Sequence, residues 1–213
     1  MSERTDFLYP FIEGDERAAG GLLEDLGASA VSKSAASAAL RTTTLERDRD
    51  QLDLAATGMA ARLASGGRLF TFGNGGSSTD ASALAALFSR PPSGRPLAAR
   101  CLSDDPAVLT ALANDIGFEL VFSRQLIAHA DAGDVALGIS TSGNSRNLLA
   151  AFDEATDRGM LTIGFAGYEG GDMSQSETVS ICFVVRSESV HRVQETQAAL
   201  GFALWCAVQE HLS

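Results

Sequence analysis

Ser140, Thr141, Ser142 and Ser145 place four hydroxyl groups within six positions, around a Gly143-Asn144 turn. Hydroxyls and free backbone N–H groups that converge where a helix begins make a seat for a phosphate. The partial positive charge of the helix end and the O–H donors then face the same anion. No lysine stands in this loop, which excludes the nucleotide-hydrolysing loop that pairs its glycines with a Lys. A second group of related character, Gly73-Asn74-Gly75-Gly76-Ser77, lies upstream. Its glycines let backbone approach a ligand closely, and Ser77 is placed to cap the next helix while facing the site. Of the three histidines, His129 before a turn and His211 near the last residue read as surface groups. His191 precedes Gln194 by three residues, so one helical turn brings both toward one crevice, where an imidazole can move a proton. Asp104-Asp105 and Asp131 to Asp134 lack the spacing of a calcium loop and read as helix starts and turns.

Strands and helices must carry these groups. Val135 to Ile139 is a short, continuous apolar run between turn signals, as a strand buried on both faces requires. Further strands are expected at 68–72, 97–102, 161–165 and 181–185. Helical stretches are expected at 76–89, 105–129, 145–158 and 189–212, the third with Leu148, Leu149, Phe152 and Ala155 on one face. The last carries Val193, Gln197, Leu200, Leu204 and Val208 along one stripe. Strands alternating with helices imply an α/β fold with a five-stranded parallel sheet flanked by helices. Both hydroxyl-bearing turns then fall at strand C-terminal ends, where open α/β sheets take ligands. Residues 21–65 are Ala-rich with leucines at helical spacing and read as two helices ending near Ser65-Gly66-Gly67. Residues 1–20 read as a peripheral arm whose Phe7, Leu8, Tyr9, Phe11 and Ile12 dock on a surface.

Composition narrows the function. A net charge of −11 excludes nucleic acid as a direct partner, because neutralising its phosphates takes clustered Lys and Arg. A single bound phosphate is compatible with that charge, since backbone dipoles and hydroxyls hold it locally. Cys101, Cys182 and Cys206 sit in apolar surroundings at no metal-like spacing and read as reduced core residues. No basic-then-apolar leader opens the sequence, and no uninterrupted apolar run approaches ~20 residues. The expectation is a cytoplasmic protein with no membrane partner.

Four segments in order, FGNGGSSTDASALAALF, TALANDIGFELVFSRQL, GDVALGISTSGNSRNLLAA and HRVQETQAALGFALW, resemble the sugar isomerase (SIS) domain. The resemblance runs from about Leu69 to Glu210. It is narrower to the phosphoheptose isomerase branch, which also holds a bacterial replication-initiation accessory protein. It implies a three-layer SIS fold, with residues 1–65 as an oligomerising N-terminal extension and 66–213 as the phosphosugar-binding domain. It also implies a homotetramer whose crevices lie between subunits, with Phe202 and Trp205 at such a contact. Asn74, Gly75, Gly76, Ser77, Ser140, Thr141, Ser142 and Ser145 would hold phosphate and sugar hydroxyls, and Asn114-Asp115 would touch the sugar.

The departures are as informative. The zinc-dependent isomerases carry His and Glu four residues apart on the helix after the first cradle, where this chain has Ala83 and Leu87. Gln194 matches a ligand Gln on the last helix. The catalytic His eight positions later is Phe202 here. Neither zinc nor another cofactor is therefore expected. Binding groups retained beside proton-transfer groups lost leave three readings. The first is a metal-independent aldose–ketose phosphosugar isomerase using His191, with Gln194 beside it. The second is a sugar-phosphate sensor, and the third a tetrameric adapter for a protein partner.

Overall fold

Phe72 and Phe152 meet across Gly138 in the middle of a five-stranded parallel sheet. A computed structural model of the chain describes residues 19–213, so the aromatic arm expected at 1–20 lies almost wholly outside the described residues. Its strands are β1 (Leu69–Gly73), β2 (Ala99–Cys101), β3 (Val135–Ile139), β4 (Leu161–Gly167) and β5 (Ile181–Val185), in the order β2-β1-β3-β4-β5. Every residue of β1 and β3 is buried, as central strands covered on both faces must be.

Side chains alternate across this sheet and feed two cores. On one face Leu69, Leu137, Ile139, Ile163 and Phe165 pack with α2 (Arg49–Ala64), α3 (Gly76–Ser89) and α7 (Val190–His211). On the other, Phe70, Phe72 and Ala136 pack with α4 (Pro106–Asp115), α5 (Ser123–His129) and α6 (Arg146–Asp157). The expected α/β architecture is therefore present, with helices on both faces.

One expected helix divides. The stretch at 105–129 breaks at Gly117, whose φ of +100° cannot continue a helix, and a 3-10 turn at Phe118–Leu120 precedes α5. Asp105 caps α4, accepting hydrogen bonds from the N–H groups of Ala107 and Val108 at 3.0 and 3.1 Å. Asp134 accepts from the Arg68 backbone N–H at 2.7 Å and ties the start of β1 to the start of β3. The acidic pairs thus serve a helix start and a turn. All three cysteines are free thiols, and burial pushes Cys182 up to about 12.

The chain's compact units divide between Ala39 and Leu40, and α1 (Ala19–Arg47) spans that boundary. In the first unit Leu23, Leu26 and Val31 are exposed. In the second, Arg47 donates to the Val184 carbonyl at 2.6 Å and to Asp48, whose carboxylate raises the guanidinium pKa. Among the described residues no helix is long and apolar enough to cross a membrane.

Gly138 yields the first prediction. A Cβ there would stand 2.6 Å from the Phe152 ring and 2.8 Å from the Phe72 ring. Gly138→Ala should cost about 1–3 kcal/mol through overpacking, read as a lower urea midpoint at unchanged slope. An unchanged midpoint would mean that the two rings are not held against the strand.

Candidate functional site

β1 and β3 pair in register with Gly73 opposite Ile139, so Asn74 and Ser140 leave the sheet at the same level. The chain then departs to opposite faces, through α3 on one side and α6 on the other. That divergence is a topological switch point, and it opens a crevice at the strand C-terminal ends. Asn74 and Ser77 from the first turn, with Ser140, Thr141, Ser142 and Ser145 from the second, line a cavity of about 90 Å³ there.

The second turn is built around the Ser140 hydroxyl. It accepts from the Gly143 N–H at 3.1 Å and lies 3.4 and 3.3 Å from the hydroxyls of Ser142 and Ser145. Gly143 has φ of +70° and faces the Gly170 backbone, leaving no room for a side chain. Asn144 accepts from the Asp172 N–H at 2.8 Å, pinning the turn to the loop after β4. Ser145 holds the N-cap position of α6 yet makes no side-chain capping bond, so its hydroxyl stays with the cavity.

The first turn differs from expectation in one respect. Gly75, with φ of +55°, is the N-cap of α3, and Ser77 lies buried inside the first turn of the helix. Ser77 faces the cavity but caps nothing, because the positive φ of Gly75 starts the helix earlier. Asn74 and Asn147 exchange two amide hydrogen bonds of 2.9 Å, which lock the two turns together. Asn147 is 3% exposed and was not among the expected site residues. Its polar type on the otherwise apolar inner face of α6 was the available signal.

α7 closes the crevice from above. The Gln194 side-chain amide lies directly over Gly76, at the place a Cβ would occupy. One turn on, Gln197 donates to the Ser140 carbonyl at 3.2 Å. His191 is exposed on the first turn of α7 and lines neither this cavity nor the adjoining one. Asn114 and Asp115 are exposed at the end of α4, where Asn114 donates to Asp115 at 2.8 Å. Within the single chain these two do not line the cradle.

Ile139 is shared with a second cavity of about 330 Å³ between α3 and α7. Ala83, Leu84, Leu87 and Phe202 make most of its wall apolar, with Asp80 and Gln197 as its polar groups. Phe202 is 54% exposed and stacks obliquely on Trp205 with ring centroids 5.5 Å apart. Asp80 Oδ2 and Gln197 Oε1 are covered from solvent and take no hydrogen bond from the protein. Burial pushes the Asp80 carboxyl above the usual carboxylate range. Among the described residues no cluster of three His, Cys, Asp or Glu side chains stands close enough to hold a metal ion.

Comparison with known proteins gives a consistent result. The sequence profile described as SIS domain matches residues 34–167. A phosphoheptose isomerase of Solidesulfovibrio magneticus is 41% identical over 183 residues, covering 82% of this chain and 84% of its own. One of Aquifex aeolicus is 44% identical over 154 residues, covering 71% and 80%. The structure of a phosphoheptose isomerase from Neisseria gonorrhoeae superposes with a TM-score of 0.80 at 33% identity, over 87% of this chain and 99% of that one.

Proposed function

The chain belongs to the SIS domain family, and from that premise we propose that it binds an open-chain sugar phosphate and isomerises it between aldose and ketose without zinc. The observation that carries the binding half is the level exit of Asn74 and Ser140 from paired strands, with the hydroxyls of Ser140, Ser142 and Ser145 converging on one small cavity. A phosphate seated there receives O–H donors and the dipole of α6, which together offset the cost of stripping its water. Gln194 over Gly76 closes the seat, and the 330 Å³ cavity beyond Ile139 has room for the carbon chain. Relatives that carry the isomerase name at 41–44% identity support the reaction class.

The zinc-free half rests on side chains. Ala83, Leu87 and Phe202 occupy the places where the resemblance puts metal and proton-transfer groups, and all three line an apolar wall. Zinc takes imidazole, thiolate or carboxylate donors, and Gln194 by itself is one weak neutral ligand. The donor set does not fit the ion. A sensor of sugar phosphate is the second reading, favoured by the same apolar wall, and it differs by binding without turnover. Assembly as a homotetramer belongs to the proposal too. The exposed Phe202 and the exposed leucines of α1 are apolar surface that a subunit partner would cover.

Three outcomes are expected. Ser142→Ala combined with Ser145→Ala should weaken sugar-phosphate binding in calorimetry, a hydrogen bond to a charged group contributing about 1.5–3 kcal/mol. Undiminished affinity would remove the cradle from the proposal. Elemental analysis should find no stoichiometric zinc, and turnover of sedoheptulose 7-phosphate should be indifferent to EDTA; one tightly bound zinc whose removal abolishes turnover would sink the metal-free reading. Light scattering at micromolar concentration should give the mass of a tetramer, against a monomer if the apolar surfaces have no subunit partner.

A further inference from the structure

Gln194 lies over Gly76 and, two turns on, Gly201 faces Leu84, so α3 and α7 run side by side in the same direction away from the phosphate cradle. Between them lies the cavity of about 330 Å³, which meets the cradle at Ile139. That volume falls within the range of small-molecule clefts. Its floor is closed where Gly201 admits Leu84, since a Cβ at Gly201 would stand 3.2 Å from that side chain. Along α3 the lining runs from Asp80 through Ala83 and Leu84 to Leu87, which is one face of the helix. Leu87 is ten residues beyond Ser77, about 15 Å along the axis. Asp80, half-buried, stands at the cradle end, and the wall past it is carbon. Gln197 is 1% exposed and its free Oε1 is covered from solvent, as is Oδ2 of Asp80, so neither atom offers a ligand a hydrogen bond. The surfaces an occupant meets are those of Ala83, Leu87, Ala198 and Phe202, none of which can donate or accept.

Such a wall discriminates. A polyhydroxylated chain laid along it would exchange water for methyl and ring carbon at each hydroxyl, and a hydroxyl left unmatched loses its hydrogen bonds. A methylene or methyl in the same place leaves water at a gain. We propose, resting on the phosphate seat of the reading above and not on turnover, that this groove selects a phosphate monoester whose carbons beyond the seat carry hydrogen or alkyl groups where a heptose phosphate carries hydroxyls. Within the sugar phosphates the ligand is therefore a deoxy or alkyl-substituted one. The cradle takes the anionic head with hydroxyls and the dipole of α6, and the groove, with no charged side chain past Asp80, takes the tail. A ligand of this kind fills both halves of the continuous path through Ile139, whereas a second copy of the chain laid over Phe202 covers only the outer one.

The test titrates the full chain by calorimetry with inorganic phosphate, with methyl, butyl and hexyl phosphate, and with sedoheptulose 7-phosphate. A fully buried methylene is worth about fourfold in affinity, so hexyl phosphate should bind at least about tenfold more tightly than methyl phosphate, and more tightly than the heptose phosphate. Ala83→Trp sets a ring into the groove from an exposed helix position, and matched thermal melts establish that it is folded. This variant should lose about tenfold or more in affinity for hexyl phosphate while inorganic phosphate stays within about twofold. Equal affinity of the wild type for methyl and hexyl phosphate would overturn the assignment, as would tighter binding of sedoheptulose 7-phosphate than of hexyl phosphate. Equal affinity together with a smaller assembly of Ala83→Trp in light scattering would give the groove to a second copy of the chain instead. Failure of every phosphate to bind, the inorganic ion included, would reject the seat itself and with it the function proposed above.

Discussion

The in-register pairing of β1 with β3 is the constraint on which the site depends. Because Gly73 stands opposite Ile139, two loops that are distant in sequence begin side by side and at the same height. A slip of one residue would turn Ser140 toward the core and carry the hydroxyls out of the crevice. The register is held at both ends. Asp134 binds the Arg68 backbone where the strands enter, and Asn74 and Asn147 exchange amide bonds where they leave. Gly73 itself admits no side chain, since a Cβ would press on the carbonyls of Ser77 and Ile139. The close approach of sheet, turn and helix at that point keeps the crevice small.

If a chain of net charge −11 is to seat an anion, as proposed, it needs a local solution, and the cradle offers one. The described lining of the cradle contains no Lys or Arg. Hydroxyls and peptide dipoles take their place, and they act over a few ångströms, whereas the acidic surface acts over a Debye length of about 8 Å. An anion in this cradle would be held by short, directed contacts. Such contacts select shape as well as charge, which suits a monophosphate ester on a flexible carbon chain.

Much of this was legible in the residues. Continuous apolar runs marked the strands because central parallel strands are buried on both faces, and the hydroxyl cluster after β3 marked the crevice at the C-terminal ends of the strands. The helix expected at 105–129 was legible only in part. Its apolar residues keep helical spacing through the break, and only the φ of Gly117 interrupts it. Ser77 as a helix cap was a reasonable expectation from type and place, but the conformation of Gly75 moved the helix start. Asn147 and Gln197 were not recognised as residues that tie the turns of the site in place. Each is a polar residue on the inner face of a helix, and its significance depends on what the facing helix or strand brings to it. Pairings between elements far apart in the chain leave no mark in local sequence, whereas turns and strands do.

Gln197 joins two functions that are otherwise built from different material. Its nitrogen holds the Ser140 carbonyl, in a turn fixed mostly by backbone and glycine, and the same side chain forms part of the wall of a cavity between two helices. The proposed phosphate seat is consequently hard to alter without breaking the turn, while the cavity wall at positions 83, 87 and 202 can be rewritten by single substitutions that leave the sheet untouched. Inheritance can therefore conserve the handle and vary the cargo. A family organised in this way diversifies by exchanging a few helix-face residues, and descent of the scaffold then says more about the phosphate than about the chemistry performed on the rest of the molecule.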